Sequence, residues 1–124
     1  IDKLQNTDLN TFIDKKEESP ESKFLQKVIQ FINEDISNSN FGASDLAKQL
    51  HLSESQLYRK LKAITDKSIA VFIRSVRLQK AKELILTTDK TISEIAYQVG
   101  FNDPSWFSRA FKDEFGIAPS AINK

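Results

Sequence analysis

Cysteine is absent from the 124 residues, and so is methionine. Without thiols the chain makes neither disulfides nor thiolate metal sites, which fits a reducing, cytoplasmic compartment. Histidine occurs once, as His51, with no ligand partners at metal spacing, so it reads as a turn residue and not as a metal ligand or catalytic base. Apolar runs extend only a few residues, as in Ile69 to Ile73, so no stretch is suited to span a bilayer or to act as a signal-peptide core. No nucleophile and base pairing, glycine-rich phosphate loop or carboxylate cluster is apparent, and no enzyme, cofactor or metal site is expected. The chain starts at Ile1 with no methionine anywhere, and a piece of a longer protein is expected.

What is there is charge, unevenly spread. Residues 1–38 carry five Lys against eight Asp and Glu, while residues 39–124 carry thirteen Lys and Arg against nine acids. The excess peaks between Tyr58 and Lys82, where Arg59, Lys60, Lys62, Lys67, Arg74, Arg77, Lys80 and Lys82 face only Asp66. A polyanion would be drawn there, although charge runs on helices are often no more than solvated faces.

Helical periodicity and punctuation divide the rest of the chain. Residues 1–18 show no sustained period, and 1–20 read as a linker or tether. Ser19 and Pro20 cap and start a first helix whose buried stripe is Leu25, Val28, Ile29, Ile32 and Ile36. A short second helix from Gly42 to Leu50 turns Leu46, Ala47 and Leu50 inward. Ser53 and Gln56 form a capping box for a third, with Leu57, Leu61 and Ile64 on one face. A fourth, Ile69 to Leu86, changes stripe partway, from Ile69, Phe72, Ile73 and Val76 to Leu78, Ala81 and Ile85, as a helix serving two bodies would. Arg74, Arg77, Lys80 and Lys82 take its remaining exposed surface, read as solvation, with phosphate contact by Arg74 or Arg77 as the alternative. Thr91 and Glu94 box the fifth helix, Gly100 turns the chain, and Asp103 with Pro104 starts the sixth. Phe107, Phe111 and Phe115 line the sixth helix, Gly116 ends it, and Pro119 starts a last short turn.

The two ends of this pattern repeat each other. Ser44, Leu46, Ala47, Gln49 and Leu50 match Ser93, Ile95, Ala96, Gln98 and Val99. After one extra residue, Leu57, Arg59, Leu61 and Lys62 match Phe107, Arg109, Phe111 and Lys112. At 100° per residue from Leu57, Ser55, Arg59 and Lys62 fall at about 160°, 200° and 140°, away from the core, with Gln56 and Tyr58 on the flanks. Ser105, Arg109 and Lys112 take the same angles in the sixth helix, and Trp106 lies off its buried stripe, read as facing a nucleic acid, with a partial core role as the alternative. Two short helices around a turn, the second with one apolar and one Ser/Arg/Lys face, form the helix-turn-helix of DNA readers. Arginine on such a face pairs with guanine in the major groove. A helical protein-interaction module using the Phe-rich and Trp106 surfaces is the rival reading.

The stretches LAKQLHLSESQLYRKLKAIT (Leu46 to Thr65), FIRSVRLQKAKELIL (Phe72 to Leu86) and ISEIAYQVGFNDPSWFSRAFKDEFGIAPS (Ile92 to Ser120) resemble the DNA-binding domain of the AraC/XylS family of bacterial transcription regulators. The resemblance covers about residues 22–122. It implies an all-α, seven-helix domain over residues 21–124, with lobe one at 21–67, a linking helix at 69–86 and lobe two at 91–124. The third and sixth helices would enter successive major grooves of double-stranded DNA. Ser55, Tyr58, Arg59, Pro104, Ser105, Trp106 and Arg109 would lie near bases, with Gln56 beside them, and Lys62 and Lys112 near phosphates. The leader FLQKVIQFINEDI is most similar to output domains at the end of hybrid sensor kinases and response regulators. Residues 1–20 would then descend from a receiver-like domain of the same chain, and RNA polymerase is a further possible partner. His51 and Asp66 stand where the family usually has glycine, and Ile69 where it often has proline. The usual aromatic and arginine pair is missing after Pro119. Gly100 and Gly116 should make lobe two the more regular of the two.

Overall fold

In the computed structural model, residues 19–122 are described. They form six α-helices: α1 (Pro20–Glu34), α2 (Ala43–Gln49), α3 (Glu54–Thr65), α4 (Ile69–Thr87), α5 (Ile92–Gln98) and α6 (Pro104–Phe115). A 3₁₀ turn, Pro119–Ala121, stands in the place of the expected seventh helix. Most of the expected tether, residues 1–18, lies outside the described residues, while Ser19 and Pro20 belong to the start of α1.

The helix starts follow from their caps. Ser19 Oγ accepts the Ser22 N–H at 3.0 Å, and Ser53 and Gln56 exchange bonds of 3.1 and 2.9 Å. Thr91 and Glu94 do the same at 3.1 and 2.8 Å. Asp103 Oδ1 accepts from Ser105 N at 2.9 Å, with Pro104 in the first turn where its missing N–H is not needed. Ser68, which periodicity alone does not mark, caps α4 through Val71 N at 3.2 Å.

Two apolar cores form, one on each half of α4. Leu25, Val28 and Ile32 of α1, Leu46 and Ala47 of α2, and Leu57 and Leu61 of α3 close on Ile69, Phe72, Ile73 and Val76. Ile95, Ala96 and Val99 of lobe two, with Phe107, Ala110 and Phe111 of α6, close on Leu78, Ala81, Leu84 and Ile85. The change of stripe along α4 is therefore the handover between lobes. Along its 19 residues, about 28 Å at 1.5 Å per residue, α4 carries both. Phe107, Phe111 and Phe115 form a ladder of tilted rings with centroids 5.7 and 4.6 Å apart; the first two are core residues, and Phe115 packs partly buried against them.

Two expectations fail. Ile36 is not on the stripe of α1: the helix stops at Glu34, and Ile36 packs against the core of lobe two. A helical period carried on to residue 36 overruns the end of α1 at Glu34 and its cap Asp35. Arg77 is not exposed but buried at the handover point.

The repeat holds in the backbone. Leu50 N and Val99 N donate to Leu46 O and Ile95 O at 3.1 and 3.0 Å, and Leu52 N and Phe101 N to Ala47 O and Ala96 O at 3.0 and 2.9 Å. His51 and Gly100 both sit at positive φ, 58° and 94°, and so do Asp66 and Gly116, at 64° and 81°. The extra residue of lobe two falls between Phe101 and Asp103, so both lobes turn identically out of their first helix before they diverge.

Candidate nucleic-acid interface

The core stripes of α3 and α6 leave matching outer faces. Ser55, Tyr58, Arg59 and Lys62 are exposed on α3, and Ser105, Trp106, Arg109 and Lys112 on α6. Pro104 is partly covered at the first turn of α6. Ser55 and Ser105 both lie in the first turns of their helices, at the positive end of the peptide dipoles. Gln56 is less available than its neighbours, because its side-chain carbonyl is held by Ser53 N. Lys62 lies 3.7 Å from Asp66 Oδ1 and donates to Asp66 O at 3.4 Å. Both partners are exposed, and such a pair is weak enough to open for a phosphate.

Trp106 is 40% exposed. Its ring lies 6.4 Å from Phe101, at the edge of the lobe-two core. The guanidinium carbons of Arg74 and Arg109 stand 5.7 and 5.9 Å from its centroid. Cation and ring attract through the ring quadrupole, so Trp106 gathers an arginine from α4 and one from α6 onto one surface. Periodicity along α4 puts Arg74 only on a general basic face and carries no sign of this cluster.

The basic stretch between Tyr58 and Lys82 does not act as one patch. Arg77 is buried, Lys60 lies over Phe24 at 5.0 Å and Lys82 over Phe115 at 4.9 Å. Lys80 pairs with Glu83 at 3.4 Å. The three lysines cover apolar surface or meet a local carboxylate, and Arg77 is turned inward, so exposed cation remains on the outer faces of α3 and α6 and at Arg74.

Behind Arg74, Glu114 turns back from α6 toward α4. Burial raises its pKa, and Lys67, a hydrogen bond with Ser75 and Arg74 oppose the rise less strongly. Its Oε2 is buried without a hydrogen-bond partner. No group of three or more His, Cys, Asp or Glu that could hold a metal exists among the described residues. His51 is exposed in a turn.

Known proteins match this arrangement. A helix-turn-helix domain profile matches residues 46–124. The chain is 40% identical over 93 residues to the Msm operon regulatory protein of Streptococcus mutans, covering 72% of this chain and 34% of that one. It is 33% identical over 102 residues to histidine kinase P4 of Formosa agariphila, covering 82% of this chain and 7% of that one. The chain thus spans about a third or less of these curated relatives. Among solved structures, the C-terminal domain of AraT, a response regulator from Geobacillus stearothermophilus, superposes with a TM-score of 0.69 at 32% identity, covering 82% of both chains. With two helix-turn-helix units on one linking helix and a profile match over most of its length, the chain belongs to the AraC/XylS family of helix-turn-helix domains.

Proposed function

We propose that this domain binds double-stranded DNA sequence-specifically as the output module of a bacterial transcription regulator, with α3 and α6 in successive major grooves. The observation that carries it is the repetition, on two helices fixed to one linker, of the same exposed serine, arginine and lysine face. Arg59 and Arg109 pair with base edges, bidentate to guanine where it is present. Ser55, Tyr58, Pro104 and Ser105 stand beside them, and Lys62 and Lys112 meet phosphates. Gln56 serves as a cap first and a contact second. Trp106 holds Arg109 in place and brings Arg74 to the backbone between the two grooves. Binding sites one DNA turn apart, about 34 Å, would make the recognised sequence bipartite and asymmetric.

Similarity to a response-regulator output domain and to a far longer histidine kinase supports control by an upstream receiver-like domain through residues 1–20. A cytoplasmic location, with RNA polymerase within reach, follows from work on chromosomal DNA. No helix among the described residues is long and apolar enough to cross a membrane.

A salt titration of fluorescence anisotropy with random-sequence duplex DNA tests the reading. Affinity should fall linearly with the logarithm of salt concentration, as release of counterions requires. No binding at the lowest salt would reject DNA binding in favour of a protein-interaction module.

A further inference from the structure

We infer that Arg77 is a positioning residue: its buried guanidinium ties the two lobes together and so sets the spacing between half-sites that the domain accepts. The inference rests on the tandem-reader function, but its geometry stands apart from it. Arg77 is 6% exposed and sits on α4 between Val76, which faces the core of lobe one, and Leu78, which faces that of lobe two. Its Nη1 donates to Ile36 O at 2.7 Å and to Val99 O at 2.9 Å. Its Nη2 donates to Asn38 O at 3.0 Å and, at 3.5 Å, reaches Phe41 O. Three acceptors lie on the segment joining α1 to α2 in lobe one. The fourth caps α5 in lobe two, beside the turn that aims α6.

A planar fork with five donors suits this task, since it holds several carbonyls at fixed angles at once. Apolar packing does not do it alone. A cavity of about 250 Å³ opens between the lobes, lined in part by Phe41, Ala70, Ile73, Phe101 and Trp106. The space for the fork is kept by Gly100: a Cβ there would overlap Nη1 and Ile36 O and lie 2.6 Å from Cζ of Arg77. Without Arg77 the four carbonyls lose a shared donor, and α4 and Ile36 are left to join the lobes.

Because the chain lacks cysteine, Ser44→Cys and Ser93→Cys on α2 and α5, both exposed and off the reading faces, give two clean labelling sites. Double electron–electron resonance between spin labels there should show one narrow distance distribution in the 124-residue chain. Arg77→Met should broaden it while helix content by circular dichroism is kept, because each lobe retains its own core. Arg77→Lys, whose ammonium spans fewer carbonyls, should broaden it partly. An unchanged distribution in Arg77→Met overturns the inference; should that variant lose its helices, an unchanged distribution in Arg77→Lys overturns it equally. With a duplex site selected by the unsubstituted chain, one inserted base pair between the halves should cost about tenfold in affinity, and clearly less in Arg77→Lys. A general loss of stability would lower both affinities alike. If no duplex is selected, the DNA-reading function fails while the distance distributions still judge Arg77. If sites are selected and Arg77 alters neither distances nor spacing preference, only this inference fails.

Discussion

Lobe one and lobe two make the same left-handed turn after their first helix, yet one uses His51 and the other Gly100. The difference separates two reasons for glycine. A non-glycine residue at positive φ costs about 1–2 kcal/mol through its Cβ, which lobe one bears because His51 points to solvent. In lobe two the space a Cβ needs is filled by Arg77 and the Ile36 carbonyl, so glycine is required by a neighbour as well as by the backbone. Asp66 and Gly116, the second matched pair, lack this feature: a Cβ on Gly116 meets nothing within 4 Å. The departures of lobe one from the family glycines are therefore ordinary strain on an exposed surface, and the turn of lobe two is a joint between lobes.

Substitutions at these turns put the contrast at risk. Gly100→Ala adds overpacking to backbone strain and should cost about 3 kcal/mol by urea denaturation. Gly116→Ala adds strain alone, about 1 kcal/mol. Equal losses would remove the distinction between the two glycines. At the matching turn of lobe one, His51→Gly relieves strain at the expense of unfolded-state entropy, and a net gain of about 0.5 kcal/mol is expected. A loss of stability there would mean that His51 makes a contact lobe two lacks.

A further contrast lies at Ile64 and Glu114, which occupy equivalent positions in the repeat. Lobe one fills the position with hydrocarbon, whereas in lobe two burial raises the pKa of the Glu114 carboxyl above 4.5. For an acid shifted upward, the stabilising contribution is complete below the ordinary carboxylate pKa and is lost as pH rises through the raised value. Glu114→Gln should therefore have the higher Tm at pH 7, with the gap closing as pH falls toward 4.5. A gap independent of pH would assign the effect to packing.

Much of this architecture is readable in the sequence because its causes are local. Caps such as Ser53 with Gln56 and Thr91 with Glu94 act over three residues, and the outer faces of α3 and α6 follow from 100° per residue. The handover on α4 is visible as a rotated stripe. Arg77 is not, because its partners lie 22 to 41 residues away and are carbonyls, which every residue type supplies. Its flanking residues show only a basic helix face. Phe41 and Phe101 escaped the helical period because both lie outside helices; their one signal is an aromatic beside a glycine, Phe41-Gly42 and Gly100-Phe101. The joining of Arg74 and Arg109 by Trp106 likewise depends on the approach of α4 to α6, which periodicity along either helix does not encode.

In the proposed function both lobes read bases, one through Arg59 and the other through Arg109. The test is selection of bound sites from random duplex DNA by the unsubstituted chain, Arg59→Ala and Arg109→Ala. A bipartite motif is predicted, with each variant losing preference in a different half and about 1–3 kcal/mol of affinity. Equal losses at all positions in both variants, or a motif with a single half, would contradict it.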